Sequence, residues 1–464
     1  SGLYEGAYRV GPSDSFSSAE IVVALKRERR VVTRAAAHGR LSTPQTPPGV
    51  AWVRGGTTYI RSAPESGFIL FPAPGTRLLT TARVEGWAKV ELTPSLSGWI
   101  EEKSLERLPA GTPPPAAVVG TIRAAAAPGS TVISLDLSQQ VPYEVEESPD
   151  LDRVTLRLYY SAGHTNWVIY DDQDDFLRQV RWEQRGSDVV EVTADLRPGR
   201  RLWGYDVSYK ERSLRLELRH PPAIAPKPRS ALSGRVIIVD PGHSPSSPGA
   251  IGPHRTLEMD VNYALAKELE ALLSAEGAQP VVTRSSPADE VTLGERMRLA
   301  WSRRGDAFVS VHNNALADGE NPFDRPHGYS VFFYHPHSLA LARATHQAYG
   351  RDALLPSEGL RYGNLMVARA TQMPSILTES AYLMYPDQED LLLTPAKRRE
   401  FARAMLEGLR RFFEAERERQ AAAGWPPPPP APRAKAKTAP GPKQGAAPRT
   451  GAARAQPKKN TKRP

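Results

Sequence analysis

The segment from Arg235 to Glu258 restricts the fold of this chain more than any other stretch. It begins with four consecutive aliphatic residues, 236–239, which predict a short buried strand. Pro241-Gly242 ends that strand sharply, so His243 is expected to leave its carboxyl end, where α/β proteins commonly build their sites. Glu258 closes the following loop and opens a helical pattern of apolar residues at Val261, Leu265, Leu269 and Leu272. A histidine and a carboxylate thus stand at the two ends of one loop.

Alternating strand and helix patterns continue from Ser233 to about Arg417. Apolar strand candidates lie at 236–239, 280–283, 308–311, 330–334, 365–367 and 376–378. Helical patterns lie between them at about 260–276, 292–303, 338–352 and 396–417. This alternation predicts an α/β domain over residues 233–417, with a largely parallel mixed sheet flanked by helices.

Two further candidate residues follow strands of this predicted sheet. His312 ends the apolar run that begins at Phe308, and Glu379 ends the run that begins at Ser375. Taken singly, a histidine after a strand is more often structural, and a glutamate at a helix start is favoured by the helix dipole. Zinc enzymes, however, commonly use two histidines and one carboxylate, with an open water position and a separate proton acceptor. The shared placement of these side chains at one sheet edge therefore favours a site.

The positive charge of the chain is concentrated at its carboxyl end. At 464 residues the chain is expected to form about three domains, and its formal net charge is +9. Ten of its sixty Lys and Arg residues follow Ala421, where no Asp or Glu occurs, which leaves fifty basic and fifty-one acidic residues before it. The Pro/Lys/Arg-rich tail, residues 421–464, is predicted to be disordered.

The absence of cysteine excludes disulfides, cysteine-ligated zinc and thiol nucleophiles. No apolar run approaches the ~18–20 residues of a membrane-spanning helix, so no membrane span is expected in this chain. The chain begins with Ser1 rather than Met, which indicates processing or truncation, so any signal peptide would be missing from it.

Short β-like runs dominate the first half of the chain. Residues 1–49 predict a short β region, and 50–108 carry clearer strands with a Gly-Trp-x-x-Val pattern at Trp87 and a Ser-Gly-Trp-Ile pattern at Trp99. These patterns are similar to the bacterial Src-homology-3-like modules of cell-wall enzymes, which are small barrels that bind wall peptides or glycan. The alternative is that both tryptophans are core aromatics of an unrelated small barrel.

Residues 117–222 carry strictly alternating runs, which predict an antiparallel β-sandwich with one solvated face on each sheet. The segment resembles the AMIN targeting domains that precede amidases in bacterial envelopes. An unrelated β domain remains the alternative interpretation.

Several blocks between residues 234 and 415 together resemble one enzyme family, the zinc-dependent N-acetylmuramoyl-L-alanine amidases. The blocks are Val239-Asp-Pro-Gly-His243, Pro248-Gly-Ala-Ile-Gly252, Glu258-Met-Asp-Val-Asn262, Ser310-Val-His312-Asn-Asn-Ala315 and Glu379. The resemblance implies that His243, Glu258 and His312 bind one zinc ion per domain and that Glu379 is the catalytic carboxylate. Thr283-Arg284 and Arg296 also look like family features, with structural roles.

The chain departs from the family pattern in the loop after His243. The family usually has a second glycine there and an acidic residue before Pro-Gly-Ala, where this chain has Ser244 and Ser247. Neither change removes a ligand, but both affect the expected shape of the loop. His254, in the same loop, is a competing candidate ligand.

The resemblance implies a peptidoglycan hydrolase that cleaves the amide bond between N-acetylmuramic acid and the L-alanine of the stem peptide. Two alternatives stay open: a catalytically inactive wall-binding protein and a zinc peptidase acting on stem peptides. The expected partners are peptidoglycan and, through the basic tail, anionic wall polymers, with no specific nucleic acid. The implied location is the cell envelope, either periplasmic or extracellular.

Overall fold

The computed structural model describes residues 18–27, 30–40, 43–316, 320–321, 327–352 and 355–424. Near the amino-terminal end, β1 (Ser18–Arg27) and β2 (Arg30–Arg40) pair antiparallel as a two-stranded sheet, within the region predicted to be β. Most of the predicted disordered tail, from residue 425 onward, lies outside the described residues. Within the described part of the chain, no helix is long and apolar enough to cross a membrane.

A seven-stranded antiparallel sheet follows, in the order β5-β4-β8-β7-β6-β3-β9. Its strands are β3 (Thr43–Val53), β4 (Ile60–Arg61), β5 (Phe68–Leu70), β6 (Arg77–Val84), β7 (Trp87–Thr93), β8 (Leu96–Glu101) and, after a 3-10 turn at Glu102–Ser104, β9 (Leu105–Arg107). Ala88 and Ile100 are buried in its core. Because successive side chains alternate between faces, the neighbouring Trp87 and Trp99 lie half-buried on the other face. The alternative that both are core aromatics is therefore wrong.

Residues 117–219 form two sheets. Their strands are β10 (Ala117–Ala127), β11 (Ser130–Leu137), β12 (Tyr143–Glu147), β13 (Arg153–Tyr159), β14 (Ser161–Gly163), β15 (Val168–Tyr170), β16 (Leu177–Arg185), β17 (Val189–Leu196), β18 (Gly204–Lys210) and β19 (Ser213–Arg219). One sheet has the order β14-β10-β11-β19-β18, with β15 also beside β10, and the other has the order β12-β13-β17-β16. We call this pair of sheets the β-sandwich.

The β-sandwich contains parallel pairs, whereas the alternating pattern predicts a purely antiparallel arrangement. Strands β14 and β15 both pair parallel with β10. The reason is length, since β10 has eleven residues and its outer edge accommodates two three-residue strands in succession. Short strands of this kind carry too few residues to show an alternating pattern.

The carboxyl-terminal half is an α/β domain with one six-stranded sheet in the order β21-β20-β22-β25-β23-β24. Its strands are β20 (Val236–Pro241), β21 (Gln279–Val282), β22 (Ala307–Asn314), β23 (Tyr329–Phe333), β24 (Ser357–Tyr362) and β25 (Ser375–Tyr382). Its helices are α1 (Glu258–Ala275), α2 (Leu293–Ser302), α3 (Pro336–Asp352), α4 (Pro386–Leu393) and α5 (Pro395–Ala423). Among the described strand pairs of this sheet, β23–β25 alone is antiparallel, which matches the predicted largely parallel mixed sheet.

Two boundaries in this domain differ from the prediction. Residues 365–367 form no strand, because the chain there enters a 3-10 turn at Val367–Arg369, and the strand lies earlier, at β24. Strand β24 has the sequence Ser-Glu-Gly-Leu-Arg-Tyr, which contains no apolar run. An apolar pattern therefore does not predict this edge strand. Helix α5 continues past the predicted end at 417 and stops at Gly424, whose φ of 61° suits a left-handed helix cap.

The β-sandwich contacts the α/β domain at the amino-terminal ends of its parallel strands. The Trp203 indole N–H donates to the carbonyl oxygen of Asp306 at 3.0 Å, and Arg219 Nη1 donates to that of Gly305 at 2.9 Å. Both acceptors directly precede β22, whose opposite end carries His312. The β-sandwich therefore leaves the carboxyl edge of the sheet uncovered by these contacts.

Candidate metal centre

His243 leaves β20 in a backbone conformation that neighbouring groups fix. Its φ is 66°, in the left-handed region that residues other than glycine seldom adopt. Arg296 Nη2 donates to the His243 carbonyl oxygen at 2.6 Å. The imidazole Nδ1 lies 3.1 Å from the carbonyl oxygen of Ser247, which only accepts, so Nδ1 carries the proton. In the neutral ring Nε2 then holds a lone pair, whereas in the protonated ring it donates to Glu258 Oε2.

Glu258 is the first residue of α1 and only 3% exposed. Its Oε2 accepts from the backbone N–H of Ala250 at 2.9 Å, and its Oε1 accepts from that of Asn313 at 3.1 Å. The Asn262 side-chain amide donates to Oε1 at 3.0 Å. A buried carboxylate needs such partners, and the positive end of the helix dipole adds to them. These contacts fix both oxygens in one orientation.

The two histidines contact different oxygens of the Glu258 carboxylate. His243 Nε2 lies 3.0 Å from Glu258 Oε2, and His312 Nδ1 lies 3.2 Å from Glu258 Oε1. The imidazole rings are 4.8 Å apart between centroids and inclined by 72°. One ligand atom from each of the three residues lies within 4.8 Å of the others. The structure thus brings together all three residues that the sequence predicted as metal ligands.

Charge interactions within this group hold Glu258 ionised. Burial by itself would raise the pKa of Glu258, but hydrogen bonds and charge interactions with His243 and His312 outweigh it and lower the pKa well below its usual range. An ionised carboxylate beside two imidazoles is the form in which such residues bind a metal.

Glu379 lies beside this cluster on the neighbouring strand. In the parallel pairing of β22 and β25 it is in register with His312. Its Oε2 is buried and accepts no hydrogen bond from the described residues. Burial, with a contribution from the negative charge of Glu258, raises the pKa of Glu379 well above its ordinary value. A carboxyl group of raised pKa next to a candidate metal centre is typical of a catalytic proton carrier.

Two glycines shape the space around the three donors. A Cβ at Gly249 would lie 2.2 Å from Glu258 Oε2 and 2.7 Å from His243 Nε2, and a Cβ at Gly242 would lie 2.3 Å from the His312 ring. Side chains at either position would displace the cluster. Two imidazole nitrogens and one carboxylate form a donor set that suits zinc. The residues present therefore fit a zinc ion.

A buried ion pair between Asp240 and Arg296 stabilises the segments that carry the cluster. Asp240, 1% exposed, accepts from Arg296 Nη1 at 2.5 Å and from Thr283 Oγ1 at 2.5 Å through Oδ1, and from Ser310 Oγ at 2.7 Å through Oδ2. These contacts tie β20 to α2, to the end of β21 and to β22. Arg296 extends the same network to the carbonyl oxygen of His243.

Asn262→Ala is expected to weaken zinc binding about 10–100-fold, because the amide of Asn262 orients the ligand carboxylate and second-layer partners commonly have effects of that size. Competition with a chromogenic chelator measures the affinity. Asn364→Ala is the matched control, since that amide donates to the Phe68 carbonyl oxygen and touches no ligand. Equal affinities in the two variants would contradict the role of Asn262.

The structure places the competing candidate ligand, His254, away from the three donors. It also gives hydrogen-bond roles to residues of the family motifs for which the sequence predicted none. His254 is exposed and its Nδ1 lies 2.9 Å from Glu389 Oε2, so it belongs to a separate pair. Asp240, Asn262 and Asn313 all lie within the recognised blocks, but their hydrogen-bond roles depend on contacts between distant segments. Nothing in their local spacing indicates those contacts.

The two departures from the family pattern in the loop after His243 differ in their contacts. Ser244 Oγ donates to the Val291 carbonyl oxygen at 3.2 Å, so this contact depends on the serine side chain. The acceptor for His243 at position 247 is the backbone carbonyl oxygen, which any residue would supply. Neither departure removes a ligand.

Comparison with known proteins gives consistent matches to the α/β domain. Residues 237–411 match the family described as N-acetylmuramoyl-L-alanine amidase, inside the range of 234–415 that the motifs predict. The chain is similar to the probable cell wall amidase LytH of Staphylococcus epidermidis, with 34% identity over 186 residues, and to that of Staphylococcus aureus, with 32% identity over 191 residues. These alignments cover 40% and 41% of this chain and 60% and 62% of the relatives, so the chain spans less than two thirds of their length.

Two solved structures are also similar to part of the chain. The amidase AmiC2 of Nostoc punctiforme has 30% identity, covering 39% of this chain and 99% of that one, with a TM-score of 0.36. The catalytic domain of CwlV from Bacillus (Paenibacillus) polymyxa var. colistinus has 27% identity, covering 39% and 98%, with a TM-score of 0.36.

Proposed function

We propose that this chain is a zinc-dependent N-acetylmuramoyl-L-alanine amidase, a peptidoglycan hydrolase that cleaves the amide between N-acetylmuramic acid and the L-alanine of the stem peptide. The observation that carries the proposal is the convergence of His243, Glu258 and His312, with Glu379 beside them. The match of residues 237–411 to the amidase family supports the choice of reaction.

A zinc ion held by His243, Glu258 and His312 supplies Lewis acidity to the scissile carbonyl group and to water. Glu379 takes the proton of the attacking water and delivers it to the amide nitrogen as the bond to the lactyl carbonyl breaks. Its raised pKa makes Glu379 a stronger base than an ordinary carboxylate in the first transfer. No side chain forms a covalent bond to the substrate.

The regions before the catalytic domain are proposed to keep the enzyme at its substrate. A cavity of about 200 Å³ in the seven-stranded sheet is lined by Trp87, Tyr59 and Arg61, among others, which are side chains suited to sugar rings or peptide groups. This cavity supports a Src-homology-3-like module at 50–108, next to an AMIN-like sandwich at 117–222. Anionic wall polymers are the proposed partner of the basic tail.

The proposed location follows from the substrate. Peptidoglycan lies outside the cytoplasm, and the Staphylococcus relatives are described as cell wall amidases. The envelope, periplasmic or extracellular, is therefore the compartment in which this chain is proposed to act.

Mass spectrometry of digested peptidoglycan tests the proposed bond directly. Purified sacculi treated with the zinc-loaded chain are expected to release stem peptides that begin with L-alanine and to leave glycan strands intact, because only the lactyl amide is cut. Peptides cut within the stem would instead indicate a zinc peptidase. Absence of any release by a zinc-loaded protein that still binds sacculi would indicate an inactive wall-binding protein.

A further inference from the structure

A second group of two histidines and one glutamate lies between the β-sandwich and the α/β domain. Glu147 ends β12 of the β-sandwich, His335 follows β23, and His337 lies in the first turn of α3. All three residues are buried, with 6%, 8% and 0% of their surface exposed. One ligand atom from each lies within 4.8 Å of the others. Such a group at an interface between two parts of a chain needs a physical explanation.

This group is distant in the fold from the candidate metal centre. Strand β23 runs antiparallel to β25, so its carboxyl end, which leads into His335, points to the opposite edge of the sheet from His312 and Glu379. That opposite edge is also where the β-sandwich makes its contacts through Trp203 and Arg219. The second group therefore belongs to the interface and not to the catalytic site.

The hydrogen bonds of the two imidazoles define which nitrogens face Glu147. His335 Nε2 lies 3.2 Å from the Arg369 carbonyl oxygen, and His337 Nε2 lies 3.1 Å from the Met373 carbonyl oxygen. A carbonyl oxygen only accepts, so each Nε2 carries a proton. In the neutral form of each ring, Nδ1 then holds a lone pair.

Both of these lone pairs point at the same carboxylate oxygen. His337 Nδ1 lies 2.8 Å and His335 Nδ1 lies 3.4 Å from Glu147 Oε1. With both rings neutral, these three electron-rich atoms repel one another in a buried space. A single proton on His337 Nδ1 would pair that ring with Glu147 but would leave the His335 lone pair 3.4 Å from the same oxygen. Two extra protons would make two buried imidazolium ions whose rings stack 5.2 Å apart at an angle of 8°, against a single negative charge. One divalent cation satisfies all three atoms together.

The donor arrangement repeats that of the candidate metal centre. There, the nitrogen–oxygen distances are 3.0 and 3.2 Å, compared with 2.8 and 3.4 Å here. A tetrahedral zinc ion with bonds of about 2.0–2.1 Å separates its ligand atoms by about 3.4 Å, so small movements suffice at either place. Metal-binding histidines also commonly donate their other N–H to a backbone carbonyl, as both rings do here.

We propose that Glu147, His335 and His337 bind a second divalent transition-metal ion of the zinc class, which fastens the β-sandwich to the α/β domain. We call this group the interdomain clasp. Because Glu147 comes from one side and both histidines from the other, the ion bridges the interface and stabilises it.

A cavity gives the ion a route to the interdomain clasp. A space of about 610 Å³ between the two parts of the chain is lined by Glu147 and His335, together with Tyr205 and Tyr334. Water from this cavity can serve as the remaining ligand, since zinc with three protein ligands usually keeps a water molecule. Glu147 Oε2, meanwhile, accepts from the backbone N–H of His337 at 3.0 Å, which leaves Oε1 to the metal.

Zinc stoichiometry of the full chain tests the interdomain clasp. After loading with Zn²⁺ and desalting, wild-type protein is expected to retain two zinc ions per chain. Elemental mass spectrometry measures this content. Glu147→Gln is expected to retain one zinc ion, and the double variant His243→Ala/His312→Ala is also expected to retain one. The triple variant, which combines these three substitutions, is expected to retain none. Glu146→Gln, which changes an exposed carboxylate of the same strand, is the matched control and should retain two.

A second measurement does not depend on the folding of a Glu147 variant. The His243→Ala/His312→Ala chain, in which the interdomain clasp is intact, is expected to bind one Co²⁺ with a visible absorption band and to show a higher thermal midpoint with Zn²⁺ than without it. If this variant shows no cobalt binding and no zinc-dependent shift of the thermal midpoint, the proposal is overturned.

The remaining outcomes separate this proposal from the catalytic one. If wild type retains one zinc ion and Glu147→Gln retains it too, the interdomain clasp is overturned, because an ion pair between Glu147 and a protonated His337 would then explain the geometry. Wild type could also retain one zinc ion that is lost in Glu147→Gln and kept in His243→Ala/His312→Ala. That result would support the interdomain clasp and contradict the proposed function.

Discussion

Glu379→Gln is expected to lower kcat for stem-peptide release about 10²–10⁴-fold, the usual contribution of a positioned proton carrier. The amide has the shape of the carboxylate but cannot accept the proton of water. Glu379 is not one of the three residues proposed to bind the catalytic zinc, so zinc content should equal that of wild type. Release of peptides from sacculi gives the rate, and elemental analysis gives the metal content.

Glu268→Gln is the control for this experiment. Its carboxylate pairs with Arg399 of α5 at 3.5 Å, ten residues along α1 from Glu258, and the substitution should leave kcat unchanged. A wild-type rate in Glu379→Gln would reject the assigned role. Loss of zinc together with activity would mean that Glu379 supports the ligands instead of moving protons.

Arg296→Met is expected to destabilise the α/β domain by about 3–5 kcal/mol, the cost of leaving one partner of a buried ion pair uncompensated. The guanidinium and the Asp240 carboxylate have side chains only 3% and 1% exposed. The substitution also removes the donor to the His243 carbonyl oxygen. For a domain of this size the thermal midpoint should fall by roughly 10 °C, at about 2–4 °C per kcal/mol.

Arg298→Met offers a matched control two residues along the same helix. The Arg298 side chain is 67% exposed and faces Glu295 at 4.0 Å, so its loss should change stability by no more than about 0.5 kcal/mol. Differential scanning calorimetry follows the transition of the α/β domain in both variants. Equal midpoints for Arg296→Met and Arg298→Met would contradict the supporting role of the buried pair.

The sequence predicts the α/β domain because its central strands are short apolar runs that end in polar residues. Such a run is buried on both faces, and the carboxyl ends of parallel strands meet at one edge, which is why the order of residues alone predicts that His243, His312 and Glu379 lie together. Strand β24 escapes the same reasoning because it lies at the sheet edge and is half-exposed. Helix α4, with only eight residues, is too short to show a periodic pattern.

Roles that depend on contacts between distant segments could not be predicted in this way. Asp240 is joined to Arg296 and Ser310 across 56 and 70 positions of the chain, and Glu147 contacts His337 across 190. Neither periodicity nor local spacing encodes such pairs. The two tryptophans, Trp87 and Trp99, show a related limit, because an aromatic residue in a strand fits a core and a solvated face equally well until the register is known.

The β-sandwich contacts the α/β domain at the sheet edge opposite to the candidate metal centre. Its contacts through Trp203 and Arg219, like the interdomain clasp, lie at the sheet edge opposite to the catalytic cluster. These contacts of the β-sandwich therefore leave uncovered the carboxyl edge of the sheet, where His312 and Glu379 lie.

His243, Glu258 and His312 are proposed to bind one zinc ion with Glu379 beside it. X-ray diffraction data from zinc-grown crystals, recorded on both sides of the zinc absorption edge, locate such an ion. An anomalous peak is expected within bonding distance of His243 Nε2, His312 Nδ1 and a Glu258 oxygen. A map with no peak there, and with Glu258 merely hydrogen-bonded to the two imidazoles, would contradict it.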